Sequence, residues 1–203
     1  FIDKKIRLMQ KKHKNIEKIK NFYLNKLFNF NNDEINCKKL GQLCNIQTGK
    51  LDANAMVENG TYHFYTCAKE HYYINHYAFD TEALLISGNG ANVGYIHYYK
   101  GKFNAYQRTY VLDNFINEIK IKYIKYFLEK NLHKQIYREK KEGNTPYIVL
   151  STLKNFEIKF PTLKKQKLII NVLINLDRKI ELYEKSLFNI KSFKKALLQK
   201  MFV

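Results

Sequence analysis

The sequence has no tryptophan, two prolines and three cysteines in 203 residues. The prolines, Pro146 and Pro161, are not adjacent, so the Asn/Asp-Pro-Pro-aromatic motif of an amino-methyltransferase cannot be assembled, and any such chemistry lies on another chain. The cysteines, Cys37, Cys44 and Cys67, lack C-x-x-C spacing, which argues against a zinc site or a disulfide framework and points to a reducing cytoplasm. No apolar run approaches the roughly 20 residues of a membrane helix, and nothing resembles a signal peptide, so a soluble chain is expected. The histidines (His13, His63, His71, His76, His97 and His133) form no H-x-x-x-H pair, and no Ser or Cys sits in a nucleophile context. No catalytic group, cofactor or metal site is therefore expected. Acidic residues are scarce too: 36 Lys and Arg face 18 Asp and Glu, a net charge of +18. Such an imbalance favours a polyanion or an acidic partner, with nucleic acid the first candidate. An AT-rich coding sequence also supplies Lys, Asn, Ile and Tyr, which accounts for part of the lysine count.

What is present is 16 Tyr, 14 Phe and an internal repeat. Residues 2–28 align without gaps to residues 176–202 at an offset of 174, with 11 identities in 27 positions, among them Asp3/Asp177, Ile6/Ile180, Leu8/Leu182, Ile16/Ile190 and Lys20/Lys194. In the second copy Ile169, Leu173, Leu176, Ile180, Tyr183, Leu187, Ile190, Lys194, Leu197 and Met201 step by four and three, the spacing of a coiled-coil seam. The first copy carries the same register as Ile2, Ile6, Met9, His13, Ile16, Lys20, Tyr23 and Leu27. His13 reads there as a tolerated seam residue, not as a ligand or base. Two such helices bracketing an insert pair antiparallel, and the second, from about Leu163, is on the order of 55 Å long at 1.5 Å per residue. The chain opens on Phe1 inside a helical pattern, so it is expected to be part of something longer.

The insert reads differently. Tyr62 to Thr66, Ala83 to Ser87, Tyr95 to Tyr99 and Thr109 to Leu112 look like strands bounded by Gly or Asn turns. Ile121, Ile124, Leu128, Leu132 and Ile136 give one face of a helix over 118–140, followed by a short helix near Ser151 and a strand at Phe156–Phe160. The fold class expected is mixed α/β (α+β): a globular domain with a twisted mixed sheet, residues 37–160, between coiled-coil helices at 1–30 and 163–203. The run from Ser87 to Gly94 lacks Gly-Lys-Ser/Thr and joins two strands, so it reads as a tight turn and not a phosphate loop. Arg and Lys suit guanine, Asn and Gln suit adenine, and basic or hydroxyl groups suit phosphate. Lys100 to Thr109 and Lys140 to Thr145 concentrate such groups beside expected turns, although a solvated loop explains each equally simply. The candidates for DNA contact are Lys50, Lys69, Asn89, Asn92, Lys100, Lys102, Tyr106, Gln107, Arg108, Asn144 and Thr145. Arg108 is expected to read a base and Lys100 a phosphate. The charge is uneven: residues 1–30 carry 9 basic and 2 acidic groups, residues 159–203 carry 11 and 3, and the insert 16 and 13. The total charge thus says more about the helices than about the insert.

Several stretches carry a family resemblance. Lys39-Leu40-Gly41-Gln42-Leu43 leads to Thr48-Gly49-Lys50; Tyr77 to Gly90 and Tyr98 to Tyr110 follow. Phe160-Pro161, Gln166, Leu176-Asp177, Ile180 and Leu197 to Phe202 close the pattern. With these the chain resembles the specificity subunit of type I restriction-modification systems over nearly its whole length. One departure is Lys165-Gln166, where the family usually has Glu-Gln. The resemblance implies a non-catalytic DNA-reading module, the second half of a subunit that reads a bipartite site whose spacer is set by helix length. It implies as partners double-stranded DNA, modification subunits that bind the helices and methylate adenine with S-adenosylmethionine, and restriction subunits that cleave with ATP. A half-length subunit that homodimerises through its helices, a coiled-coil scaffold with an RNA-binding or purely structural insert, and an enzyme of unrecognised type remain alternatives.

Overall fold

The structure, a computed structural model, describes residues 1–30, 35–139 and 146–201. In chain order its elements are α1 (Ile2–Leu27), β1 (Asn36–Lys39), α2 (Leu40–Leu43), β2 (Asn45–Thr48), a 3-10 turn (Ala53–Ala55), β3 (Tyr62–Tyr65), β4 (Tyr72–Ile74), β5 (Phe79–Ser87), β6 (Ile96–Ala105), β7 (Thr109–Asp113), α3 (Ile121–Glu139), α4 (Leu150–Lys154), β8 (Glu157–Phe160) and α5 (Leu163–Met201). They divide into two compact units, Phe1–Asn31 with Leu168–Val203, and Asn32–Lys167. The mixed α/β architecture expected from the sequence is the one observed.

In the first unit neither α1 nor α5 contains Gly or Pro, so nothing interrupts the helical ladder. Polar contacts that join the helices include Lys194 Nζ to Asp3 Oδ1 at 2.6 Å, His13 Nε2 to Glu184 Oε1 at 3.2 Å, and Lys20 Nζ to Asp177 Oδ1 at 2.7 Å. In each pair the two residue numbers add to 197, as an antiparallel pair in one register requires. Asp3 and Asp177 are equivalent positions of the repeat, and so are Lys20 and Lys194; the first and third contacts are therefore one contact made twice about a local two-fold axis. The seam residues Ile6, Met9, Ile16, Leu176, Ile180, Leu187 and Ile190 are half-buried and Leu173 is fully buried, whereas Leu197 lies exposed. Beyond Lys20 the buried position is Leu24, not Tyr23. A straight helix of 3.6 residues per turn drifts against a seven-residue repeat, and after two heptads a step of four replaces a step of three.

The second unit is built on a six-stranded sheet in the order β2-β7-β5-β6-β3-β4, antiparallel except for β3 beside β6. β1 and β8 form a separate antiparallel pair with Asn36 opposite Phe160, so the chain enters and leaves the domain at one place. Strand β5 alternates two apolar faces. Leu84 and Ile86 share a face with Tyr98 and Ile96 of β6, and α3 covers it, with Lys122 Nζ 4.9 Å above the Tyr98 ring. On the other face Ala83 and Leu85 pack with Tyr65, Phe103, Ala105 and Val111. All of these except Tyr65, at 4%, have no solvent exposure.

That inner face is closed by the sheet itself. β6 and β7 both run antiparallel to β5, with Phe103 opposite Phe79 and Thr109 opposite Ser87. The chain must therefore pass from one end of β5 to the other between Phe103 and Thr109, a span an extended segment of six residues cannot cover along a flat nine-residue strand. β5 arches and the sheet curls into a barrel, sealed where the segment after β2 meets the end of β6 in a parallel bridge between Leu51 and Tyr106. Gly49 sits at this seal, where a Cβ would fall 1.9 Å from the Ala105 carbonyl oxygen. Gly41 plays a similar part in α2: a Cβ there would come within 3.2 Å of the Lys154 carbonyl oxygen of α4.

Gln166, the retained half of the Lys165-Gln166 departure, is fully buried. Its Oε1 accepts from the Lys120 backbone N–H at 2.9 Å, and its Nε2 donates to the carbonyls of Glu118 at 3.0 Å and Pro161 at 2.9 Å. It ties the start of α3 to the loop before α5. Lys165 is half-buried beside it.

Candidate nucleic-acid interface

The barrel has one end where four connections meet. They are the segment after β2 (Gly49, Lys50, Leu51, Asp52), the loop after β3 (Thr66 to Glu70), the β5–β6 turn and the β6–β7 turn. Gly88 N–H donates to the Arg108 carbonyl at 2.8 Å, Gln107 N–H to the Leu51 carbonyl at 2.9 Å and Tyr106 N–H to the Tyr65 carbonyl at 2.9 Å. The loop after β3 is pinned by side chains: Asn92 Nδ2 donates to the Cys67 carbonyl at 3.1 Å, Cys67 Sγ to the Arg108 carbonyl at 3.4 Å, and His97 Nε2 to the Ala68 carbonyl at 3.0 Å. The β5–β6 turn uses Gly90 and Gly94 at φ 77° and 81°, values glycine adopts at little cost.

Of the residues singled out from the sequence, seven gather here. Lys50, Lys69, Gln107 and Arg108 are exposed, and Tyr106, Asn89 and Asn92 half-buried. The Asn92 amide is engaged in holding the Cys67 loop. Lys100 and Lys102 lie within β6 and not beside a turn, opposite Glu82 and Asp80 across the β5–β6 ladder, and Lys102 Nζ sits 4.6 Å over the Tyr77 ring. Local spacing suggested a loop at these lysines, but the long arch of β5 needs a partner along its whole length and takes them into the sheet. Asn144 and Thr145 fall outside the described residues.

Three groups were missed. Asp52 Oδ1 accepts from Gln107 Nε2 at 2.5 Å. Tyr147 and Ile148 line, with Gly88, Gln107, Arg108 and Tyr110, a recess of about 230 Å³. Tyr110 Oη donates to the Ile148 carbonyl at 2.9 Å and Ile148 N–H to the Gly88 carbonyl at 2.8 Å, which fixes this wall. No periodic signal marks the segments that carry Asp52 and Tyr147, so only their placement reveals them.

Beside the pinned loop stands an aromatic group, with His63 stacked on His71 at 4.0 Å between ring centroids and Tyr65, Tyr73 and Tyr99 around them. Burial holds the His63 and His97 imidazoles below the ordinary histidine range, favouring the neutral rings. No group of three or more His, Cys, Asp or Glu able to hold a metal ion occurs among the described residues. Within them, no helix is long and apolar enough to cross a membrane. The surface thus offers exposed cations, amides and an aromatic-walled recess on a rigid barrel end, the chemistry of phosphate contact and base-edge reading.

Residues 32–192 match the type I restriction modification DNA specificity domain. The chain belongs to this family. Over 164 residues it is 38% identical to the specificity subunit of the type I restriction enzyme EcoDI of Escherichia coli, an alignment covering 79% of this chain and 36% of that subunit. The fold is likewise similar to solved structures. The type I S subunit from Mycoplasma genitalium superposes with a TM-score of 0.82 at 20% identity, covering 98% of this chain and 57% of that one. The HsdS subunit from Thermoanaerobacter tengcongensis gives 0.64 at 17% identity, covering 96% and 52%. The chain thus spans about a third to somewhat over half the length of these relatives. A specificity domain is the non-catalytic, target-selecting part of a type I system.

Proposed function

We propose that this specificity domain reads one half of a bipartite double-stranded DNA target in the cytoplasm, as the second half of a type I subunit. Residues 37–160 are its target-recognition domain, and 1–30 and 163–203 its helices. The gathering of Lys50, Lys69, Tyr106, Gln107 and Arg108 at one barrel end carries this reading. Gln107 and Arg108 supply base contacts there, and Lys50 and Lys69 take the phosphate role that spacing assigned to Lys100. Modification subunits dock on the helices, and restriction subunits join through the assembled complex. The repeat supports such docking, because Leu8 and Leu182, and Ile19 and Phe193, are equivalent apolar positions that stand exposed outside the seam.

The test is to express the subunit that contains this chain together with its modification subunits and map methylated adenines genome-wide. One bipartite motif is expected. Arg108→Ala should change the motif, whereas Lys50→Ala and Lys69→Ala should weaken binding to all duplexes and each lower the salt slope by about 1. A motif unaltered by both Arg108→Ala and Gln107→Ala would place the reading surface elsewhere.

A second reading is favoured by the doubled Asp–Lys contact. Since Asp177 and Lys194 are the repeat equivalents of Asp3 and Lys20, α5 of one copy carries both halves of the contact and can pair with α5 of another. Sedimentation equilibrium over a concentration series distinguishes a monomer from such a homodimer, which would read a symmetric site.

A further inference from the structure

We propose that Asp52 is a specificity-determining residue that acts by orienting the Gln107 amide toward adenine; this rests on the barrel end being the DNA-reading surface. Both side chains are exposed, and a free glutamine there would turn. Here the backbone presents them to each other. Gln107 N–H donates to the Leu51 carbonyl at 2.9 Å, Leu51 and Tyr106 share the bridge that seals the barrel, and the Asp52 carbonyl starts the short turn at Ala53–Ala55 by accepting from Ala55 N–H at 3.2 Å. Gln107 Nε2 then reaches Asp52 Oδ1 at 2.5 Å.

A glutamine amide has two N–H donors and one acceptor oxygen. With one N–H donated to a carboxylate, the amide cannot flip, because flipping would set its oxygen against the carboxylate oxygen. The remaining N–H and Oε1 form a donor and acceptor side by side. In the major groove adenine offers the matching pair, the N7 acceptor and the N6 amino donor, whereas guanine presents two acceptors and would meet the amide oxygen with O6. A carboxylate at this surface also repels phosphate, so it lowers affinity for DNA in general while it sharpens the choice of base. Lost selectivity together with gained non-specific affinity is a signature that a merely structural residue does not give.

The experiment uses the subunit that contains this chain, assembled with its modification subunits. Methylated motifs are mapped for the wild type, Gln107→Ala, Arg108→Ala, Asp52→Ala and Asp52→Asn, and binding to matched and scrambled duplexes is measured for each complex. The position relaxed by Gln107→Ala is expected to be an adenine on one strand. Asp52→Ala and Asp52→Asn should relax that position alone, with about tenfold less discrimination against guanine, and should bind scrambled duplex more tightly. Asp52 variants that keep full discrimination overturn the proposal, as does a Gln107-dependent position that is not adenine. If Gln107→Ala and Arg108→Ala both leave the motif intact, the barrel-end reading itself fails; if they alter it while the Asp52 variants do not, only the orienting role fails.

Discussion

In the helical unit the seam from Ile2 to Lys194 stays mostly half exposed and is punctuated by His13, Lys20 and Lys194, with ion pairs setting the register. In the barrel unit Leu84, Leu85, Ile86, Val111 and Leu112 have no exposure at all, and the register follows from two-sided burial and a closed sheet. The units also differ in charge, since most of the excess lysine lies on the helices. Polar pairing between two helices costs little to rearrange, which suits the docking of partner subunits proposed for them. Close packing in the barrel supports the loops at its end, as the proposed base reading requires.

That contrast can be broken most sharply at the barrel seal. Gly49→Ala forces a Cβ into the Ala105 carbonyl, where the nearest atoms are all backbone of Ala105 and Tyr106 and none is the end of a flexible side chain. We expect a loss of about 4 kcal/mol or more, or no folded barrel, in urea denaturation, while the helical signal in circular dichroism falls less. Next comes Gln166→Ala, which leaves the Lys120 N–H and the Glu118 and Pro161 carbonyls without their partner. A loss of about 2–4 kcal/mol is expected, because unpaired buried polar groups cost more than their bonds contribute.

Acid separates the units further. Burial holds His63 and His97 in the fold below the ordinary histidine value of 6.5, so the unfolded chain binds more protons below that pH and the barrel loses stability as pH falls through 6.5 and beyond. Asp3 is held below 3.8 by its hydrogen bond and charge interaction with Lys194, so its contribution to the helical unit is present above pH 3.8 and lost only under more acid conditions. Amide exchange between these values should show the barrel loosening while the Asp3–Lys194 end of the helices keeps its protection. The smallest effect is expected at Lys20 and Asp177, whose side chains are 19% and 23% exposed. Lys20→Asp should cost about 1 kcal/mol, and adding Asp177→Lys should restore most of it; no recovery in the double variant would detach register from this pair.

Much of the fold could be read locally. The repeat and the stepping of its apolar residues announce the helices, and the apolar runs at Ala83 to Ser87 and Thr109 to Leu112 announce β5 and β7. The motif glycines Gly41 and Gly49 have their reasons in close backbone approach. β1, β2, β4 and α2 were not foreseen: each has three or four residues, too few for a period to show, and they are held by partners distant in the chain. The candidate site was legible in part. The turn from Tyr106 to Arg108 stood out by composition, while Lys100 and Lys102 had the right chemistry in a strand and Asp52 had no local mark.

The sequence by itself therefore determined the helical repeat, the antiparallel pairing of its copies and the family, because these are written in spacing and in residues close along the chain. Only the tertiary structure decided which polar groups share a surface. The arch of β5 and the seal at Leu51 and Tyr106 bring Asp52 and Gln107, 55 residues apart, to hydrogen-bond distance. That meeting depends on strand register and sheet curvature, which are properties of the packed sheet and not of any one segment.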